Sequence, residues 1–370
     1  MSAHPPIATG WNFHELYLWH DTGNAASIHP AGLTVEPGEH AENASTKRRF
    51  RNLVEVSGLL DRLAVVPSLP LDERDLARFH TRDYIVRIKA MSEARGGDAS
   101  HLTPFGPGSY EIARLAAGGT AALVDAVLTG AVRNGYALVR PPGHHAERDR
   151  GLGFCLFGNV PVAILKARAT HQVGRVAVVD WDVHHGNGTE QAFYDDPETL
   201  TISLHQDGLF PLGSGTIGAR GEGAGEGFNV NVPLPAGCGE GAYLRAFERL
   251  VLPALHRFRP ELIVVCSGFD AAAADPLGRM MLHSDSFRAL TRMLMEAAEA
   301  LCGGRLALSH EGGYSASYVP YCGLAVMEEL SGIRTAVADP FLPSFASYPG
   351  HALLPHQEAA IAAAAEAARL

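Results

Sequence analysis

The sequence predicts one α/β domain: a mainly parallel sheet with helices on both faces and a site at the carboxyl ends of the strands. Two observations carry that prediction. From Tyr136 onward, short apolar runs alternate with helical stretches, as in strand–helix–strand crossovers. Five of those runs stop at polar clusters: His144 and His145, Asp180 to His185, His205, Asp270, and Glu311 to Tyr314. Ligands of such sheets bind beyond the carboxyl ends of the strands, so the two observations support each other. No linker, composition break or internal repeat divides the 370 residues. The domain is therefore expected to span 1–370, with a core at about 46–335 and a loop-rich part, 1–45, in the rim of the site.

Taken in order, Trp11 to about Asn43 is rich in Gly, Pro and polar residues and reads as irregular, with Trp11, Tyr17 and Trp19 as its aromatics. Helical periodicity runs from Thr46 to Leu60. A second helical region covers Asp72 to Met91, where Leu76, Phe79, Tyr84, Ile85 and Ile88 can form an apolar stripe. Gly96 to Ser109 reads as a loop by its Gly and Pro content, and Tyr110 to Leu128 as a helix closed by Gly130. The alternation then begins. Strands are expected at Tyr136 to Val139, Val176 to Val179, Leu200 to Leu204, Phe228 to Leu234, Leu262 to Val265 and Leu306 to Ser309. Between them fall helices at Phe157 to Thr170, Thr189 to Tyr194, Tyr243 to Phe258 (kinked by Pro253) and Ser286 to Leu301. Gly323 to Leu330 and His356 to Leu370 complete the helical set.

Charge and cysteine usage narrow the function class. Formal net charge is −10, the opposite of the basic surface a nucleic-acid binder usually carries. An acidic surface instead tolerates cationic ligands such as lysine-rich peptides or polyamines. The segment MSAHPPIATGWNF lacks a basic region followed by an apolar one, and no run is long enough to cross a bilayer. A cytoplasmic protein with neither nucleic-acid nor membrane partners is expected. The five cysteines are odd in number, dispersed and without a CxxC pair, which points to buried thiols rather than disulfides. Loop-rich rims often mediate association, so a homo-oligomer is compatible with the sequence.

The stretch Val176 to Gly188, VAVVDWDVHHGNG, concentrates the chemistry. Asp180, Asp182 and His184 fall at i, i+2 and i+4, which on an extended chain points them to one side. Asp182 and His184 with Asp270 from another strand end would make a three-ligand site, leaving a position open for water as in catalytic zinc centres. Without sulfur in the set Zn²⁺ is favoured, while Fe²⁺, Co²⁺ and Mn²⁺ are compatible. A merely polar loop is the bland alternative, but buried charges without a cation are costly. Asp270 alone could instead cap a helix formed by the following AAAA. His144 and His145 follow Pro141, Pro142 and Gly143, and two imidazoles in a rigid turn suit proton transfer. A surface pair is the competing explanation in a chain with 18 histidines. Tyr314 follows two glycines and could aim its phenol at a developing oxyanion. Phe154 and Phe210, each in a Gly-rich loop, could line a narrow apolar slot, although core packing is the usual fate of such residues.

Together these segments resemble the histone deacetylase superfamily, whose fold is the arginase-like α/β type. The matching motifs are RPPGHHA (140–146), GFC (153–155), DWDVHHGNG (180–188), SLH (203–205), SGFDAAAADPLG (267–278) and EGGY (311–314), with weaker likeness in TKRRF (46–50) and EIARLAAGG (111–119). Asn187 and DPLG give it the look of a class II enzyme, similar to bacterial histone deacetylase-like amidohydrolases. The resemblance implies hydrolysis of acyl-lysine or related amides, with Asp182, His184 and Asp270 on Zn²⁺. It implies His145 as the proton shuttle, His144 held by Asp180, and Tyr314 donating to the carbonyl oxygen. It places Phe154, Phe210 and Leu277 along the acyl tunnel and the Gly153 carbonyl on the substrate N–H, with His185 and Asn187 behind the ligands. A structural K⁺ or Na⁺ is implied near Asp180, Ser203 and Leu204, and a second near Phe193, Asp196, Thr199 and Phe228. Two departures stand out: AENASTKRRF lacks the His-Pro expected there, so the entrance rim should differ, and Gly158 replaces a usual Asn.

Other functions compete with this one. An acetylpolyamine amidohydrolase would want an acid at the rim. Leu277 argues against it, while Asp98 keeps it open. Arginase-like dimanganese chemistry would need more carboxylates and leaves the histidine pair unexplained. A catalytically silent binding protein would not need every catalytic position filled.

Overall fold

The structure, a computed structural model, describes residues 8–370. The first seven residues of the segment read above as lacking a leader lie outside the described residues. Eight strands form the central sheet: β1 (Gly10–Asn12), β2 (Ala64–Val65), β3 (Asn134–Ala137), β4 (Val176–Asp180), β5 (Thr199–Gln206), β6 (Asn229–Leu234), β7 (Leu262–Ser267) and β8 (Leu306–His310). Their order is β6-β5-β4-β7-β8-β3-β1-β2, with every neighbouring pair parallel. Central parallel strands are covered on both faces, which is why they read as unbroken apolar runs. The period of two then divides each run between two cores: Val176 and Val178 enter one, Ala177 and Val179 the other.

One face is covered by α1 (Arg82–Ala94), α2 (Ser109–Leu128) and α3 (Asn159–His171). The other is covered by the helix at Ser45–Val56 and by α4 (Ser284–Cys302), α5 (Val319–Ser331) and α6 (Pro355–Ala367). Among the described residues no helix is long and apolar enough to cross a membrane.

The structure departs from the sequence reading in several places. Residues 11 and 12, expected to be irregular, join Gly10 to form β1 inside the sheet. Gly and Asn are poor strand formers, so the strand is held by its surroundings. Trp11 stacks on Tyr136 at 6.2 Å, and the Asn12 amide donates to the Val66 carbonyl at 2.8 Å. The helical region at 72–91 is two helices, Glu73–Leu76 and α1, because Asp72 and Thr81 each accept a backbone N–H as an N-cap. Residues 97–105 form a short antiparallel ribbon, Gly97–Asp98 against Pro104–Phe105, rather than a plain loop. The stretch at 240–258 changes helix type on the way to Pro253, from an α-helix at Glu240–Ala246 to a second one at Leu252–Phe258. A wide π-type turn at Phe247–Val251 precedes the proline and absorbs its missing N–H and its ring.

Gly323 in α5 shows how tightly the helices sit on the sheet. A Cβ there would fall into the Phe50 ring, which Trp11, Tyr136 and Phe269 hold edge-on. Alanine favours a helix over glycine by about 1 kcal/mol, while overpacking costs roughly 1–3 kcal/mol. With Phe50 fully buried and unable to retreat, the second effect dominates. Gly323→Ala is expected to lower the thermal unfolding midpoint in calorimetry; a raised midpoint would show that the ring can move aside.

Candidate active site

The strands β4, β7, β8 and β3 are consecutive neighbours in the sheet. Their carboxyl ends therefore bring together segments that are far apart in the chain. Asp182 and His184 follow β4, Asp270 follows β7, Glu311 and Tyr314 follow β8, and His144 and His145 follow β3. The chain does not stay extended through Asp180, Asp182 and His184: β4 ends at Asp180 and the backbone then bends. Asp180 turns to His144, while the other two turn to Asp270.

His184 Nδ1 lies 3.1 Å from Asp182 Oδ1 and 3.1 Å from Asp270 Oδ2. Donor atoms of the three residues all fall within 4.8 Å of one another. The remaining carboxylate oxygens are held by backbone: Gly312 N donates to Asp182 Oδ2 and Val183 N to Asp270 Oδ1, both at 2.8 Å. A Cβ at Gly268 or Gly312 would collide with these carboxylates, so the close backbone approach requires glycine. Both acids are fully buried. Burial and the Asp182 charge push Asp270 up to about 6. Burial opposes charging His184, yet Asp182 and Asp270 lift it to about 10. The cluster thus draws in whatever positive charge is available. Two carboxylates and one imidazole, without sulfur, suit a zinc ion with an open position, and Fe²⁺, Co²⁺ or Mn²⁺ by the same ligand chemistry.

The two histidine rings lie against each other, tilted by 40° with centroids 3.9 Å apart, and differ in their partners. His144 Nδ1 faces Asp180 Oδ2 at 2.9 Å, whereas His145 Nδ1 faces Asn187 Oδ1 at 2.8 Å. Asn187 donates its own N–H to Glu147 at 2.8 Å, which fixes the direction of that amide. Burial opposes charge on both rings. Asp182 and Asp180 reverse this for His144 and raise it to about 10. His145 has only an amide, and burial with the neighbouring His144 and His184 keeps it well below the usual histidine range. With Nδ1–H donated to Asn187, His145 Nε2 is left as a bare acceptor.

A cleft of about 180 Å³ opens over these groups, lined by Ile28, Leu102, His145, Gly153, Phe154, His184, Leu209, Phe210, Leu277 and Tyr314. Phe210 lies edge-on to His145 at 5.0 Å, and Phe154 edge-on to Tyr314 at 5.7 Å. Phe154 has φ 71°, uncommon for a bulky residue. The ribbon at 97–105 holds it there, since Phe154 N donates to the Leu102 carbonyl at 2.9 Å and Gly153 N to that of His101 at 3.3 Å. Tyr314 N donates to Asp275 at 2.7 Å; burial, then Asp270 and Asp182, keep its phenol well above its usual range and so protonated.

The remaining residues singled out in the sequence fall around this core. His185 contacts Ser214 and Glu190 at 3.0 and 3.2 Å. Ser203 is in register with Asp180 across β4 and β5, and Leu204 follows it. His205, expected as a strand-end group of the site, instead lies within β5. It is buried between Ser203 and the Gly215 carbonyl, outside the cleft. Asp270 caps no helix, because the AAAA segment is not helical. Asp98, considered as a rim acid, is exposed; its Oδ1 accepts from the N–H groups of Ser100 and Thr103. Gly158 is the N-cap residue of α3, where a Cβ would sit 3.1 Å from the Phe79 ring. The altered rim segment carries Glu42, fully buried between Lys47 at 2.6 Å and Arg140 at 2.8 Å.

Sequence reasoning missed Ile28, Leu102 and Leu209, apolar loop residues with no motif around them. It also missed Asp275, whose Oδ1 accepts from Leu277 N and whose Oδ2 accepts from Tyr314 N, tying the two cleft residues together. The DPLG motif was the available signal for it.

Comparison with known proteins gives a consistent picture. Residues 40–330 match the profile of the histone deacetylase domain. The chain is 56% identical over 335 residues to a histone deacetylase-like amidohydrolase of Pseudomonas aeruginosa, covering 90% of this chain and 88% of that one. It is 33% identical to a probable deacetylase of Archaeoglobus fulgidus, covering 91% of each. The crystal structure of the HDA15 HD domain superposes with a TM-score of 0.79 at 34% identity, covering 88% of this chain and 91% of that one.

The fit of the buried histidines gives a pH prediction. His80 Nε2 accepts from Gly158 N at 2.9 Å, and its Nδ1 faces the Glu147 carbonyl at 3.0 Å. Protonation would turn that acceptor into a second donor, and burial lowers the group to about 3. A depressed histidine contributes stability above its unfolded pKa, near 6.5, and loses it as pH falls toward the folded value. Relative to His80→Gln, the parent should lose about 1.4 kcal/mol of unfolding free energy per pH unit between pH 6.5 and 5. Urea unfolding of both proteins across that range measures it; parallel profiles would show that the ring does not stay neutral.

Proposed function

The chain belongs to the histone deacetylase family, and from that premise we propose that it is a zinc-dependent deacylase acting on acyl-lysine side chains or related amines. Family membership makes it a hydrolase of deacetylase or amidohydrolase type. The observation that carries the finer reading is one cleft with apolar walls that also reaches His184, His145 and Tyr314. Asp182, His184 and Asp270 would hold the zinc. When bound, zinc supplies Lewis acidity toward an amide carbonyl and lowers the pKa of a nearby water.

The protein groups then divide the work. His145 Nε2, kept neutral, takes the proton of the attacking water. The His144–Asp180 pair holds a proton that can pass to the amine as the C–N bond breaks. Tyr314, kept protonated, donates to the carbonyl oxygen as negative charge builds there. Phe154, Phe210 and Leu277 exclude water from the acyl chain, and the Gly153 carbonyl accepts the substrate N–H. His185 and Asn187 hold the loops and rings behind these groups.

The cleft favours an acyl-lysine peptide over a polyamine. None of its lining residues is a carboxylate, and Asp98 is not among them. We place a structural K⁺ or Na⁺ beside Asp180, Ser203 and Leu204, on the registered pair of β4 and β5. The second cation position lacks similar support, because Arg168 already donates to Asp196 at 2.5 Å and to Thr199 at 2.9 Å.

Tyr314→Phe is expected to lower kcat/KM by about 10²–10³, as for other oxyanion donors, with zinc content unchanged by elemental analysis. Full activity in that variant would remove Tyr314 from the mechanism. Asp270→Asn should lose both metal and activity. On a panel of acylated lysine peptides and N-acetylated polyamines, the peptides should be cleaved with the higher kcat/KM; the reverse order would support the polyamine reading.

A further inference from the structure

A second group of potential ligands adjoins the first. Donor atoms of His144, Cys155 and Glu311 lie within 4.8 Å of one another. His144 is 3% exposed, and Cys155 and Glu311 are fully buried. The cluster is incompletely satisfied. Glu311 Oε2 accepts from Gly143 N at 2.7 Å and His144 N at 3.0 Å, but Glu311 Oε1 has no hydrogen-bond partner among the described residues. A buried carboxylate oxygen without a partner is costly. The Cys155 thiol makes weak contacts to backbone, among them the Gly153 carbonyl at 3.5 Å. With His144 Nδ1 committed to Asp180, Nε2 is the nitrogen left for a ligand, and it lies 3.8 Å from Asp182 Oδ1. The two clusters thus meet at Asp182, a carboxylate able to face both.

We propose that His144, Cys155 and Glu311 form a second, inhibitory site for a thiophilic divalent cation, distinct from the catalytic zinc. The sulfur sets the selectivity: thiolate ligands favour Zn²⁺ or Cd²⁺ over Mg²⁺ and Ca²⁺. Binding breaks the Cys155 S–H bond and the His144 Nε2–H bond, forms a sulfur–metal and a nitrogen–metal bond in their place, and releases both protons to solvent, as metal binding to thiols and imidazoles does. Inhibition follows because the ion occupies His144 Nε2. That consequence rests on the reading of His144 as the group that holds the proton for the leaving amine. The excess of buried carboxylates around the cluster, Asp180, Asp182 and Glu311, suits a second positive ion.

The test uses the full-length enzyme reconstituted with one zinc per chain. Zn²⁺ or Cd²⁺ is titrated in by calorimetry while activity is followed. A second equivalent per chain is expected, with at least a tenfold loss of activity that chelation of that equivalent reverses. Cd²⁺ should give thiolate-to-metal charge-transfer absorption, which the sulfur-free first site cannot produce. Cys155→Ser should abolish the band and weaken the second equivalent by at least the roughly 10–100-fold that loss of even an outer partner costs. The isosteric Glu311→Gln should weaken it as well. A single binding equivalent, or a band and inhibition that persist in Cys155→Ser, would overturn the proposal. If the one-zinc enzyme deacylates normally and added metal neither binds nor inhibits, this inference alone fails. If the one-zinc enzyme has no deacylase activity, the functional reading fails, while the second equivalent and its band still report on the cluster.

Discussion

Two carboxylates, Asp182 and Asp270, are buried against a single imidazole nitrogen, and much of the structure answers to that arrangement. Like charges so close cannot both persist in a dry interior without a positive partner. The surrounding backbone helps by aiming N–H groups from Gly312 and Val183 at the free oxygens. That aim requires glycine at the β7 and β8 ends, because any side chain there would occupy the space of the carboxylates. The order of the strands meets the same need, since only adjacent strand ends can deliver both acids to one point.

The histidine pair shows how a small difference in partners separates two otherwise similar groups. Both rings are buried and in contact with each other. One faces a carboxylate and the other an amide, so their proton affinities are driven apart. Pairs of titratable groups treated in this way are the usual mark of divided acid and base roles. The difference comes from single residues, Asp180 and Asn187, on the segment that also carries two of the metal-ligand candidates.

The sheet and the groups at its strand ends were legible in the sequence because both follow local rules. Buried parallel strands leave continuous apolar runs, and each run here stops where polar side chains begin. The rim was less legible. Ile28 and Leu102 reach the cleft from loops whose path depends on distant contacts, and neither sits in a recognisable pattern. β1 was hidden because Gly10 and Asn12 do not favour a strand; neighbouring strands impose the conformation. His205 misled for the opposite reason. It ends an apolar run like the site residues, but β5 extends past it and turns its ring toward Gly215. Asp275 escaped notice since its role is to fix three backbone N–H groups, those of Leu277, Gly278 and Tyr314, which no spacing rule reveals.

The Phe154 backbone carries a consequence for how such a cleft diversifies. Its left-handed conformation is held by carbonyls of His101 and Leu102, on a ribbon remote in sequence from every metal-ligand candidate. The aim of the phenyl is therefore inherited from the length and path of that ribbon. An insertion or deletion between residues 96 and 109 would swing the wall of the cleft while leaving the chemical groups untouched. Selectivity in this architecture can evolve through changes in loop length, on a part of the chain freed from the constraints that fix the reaction centre.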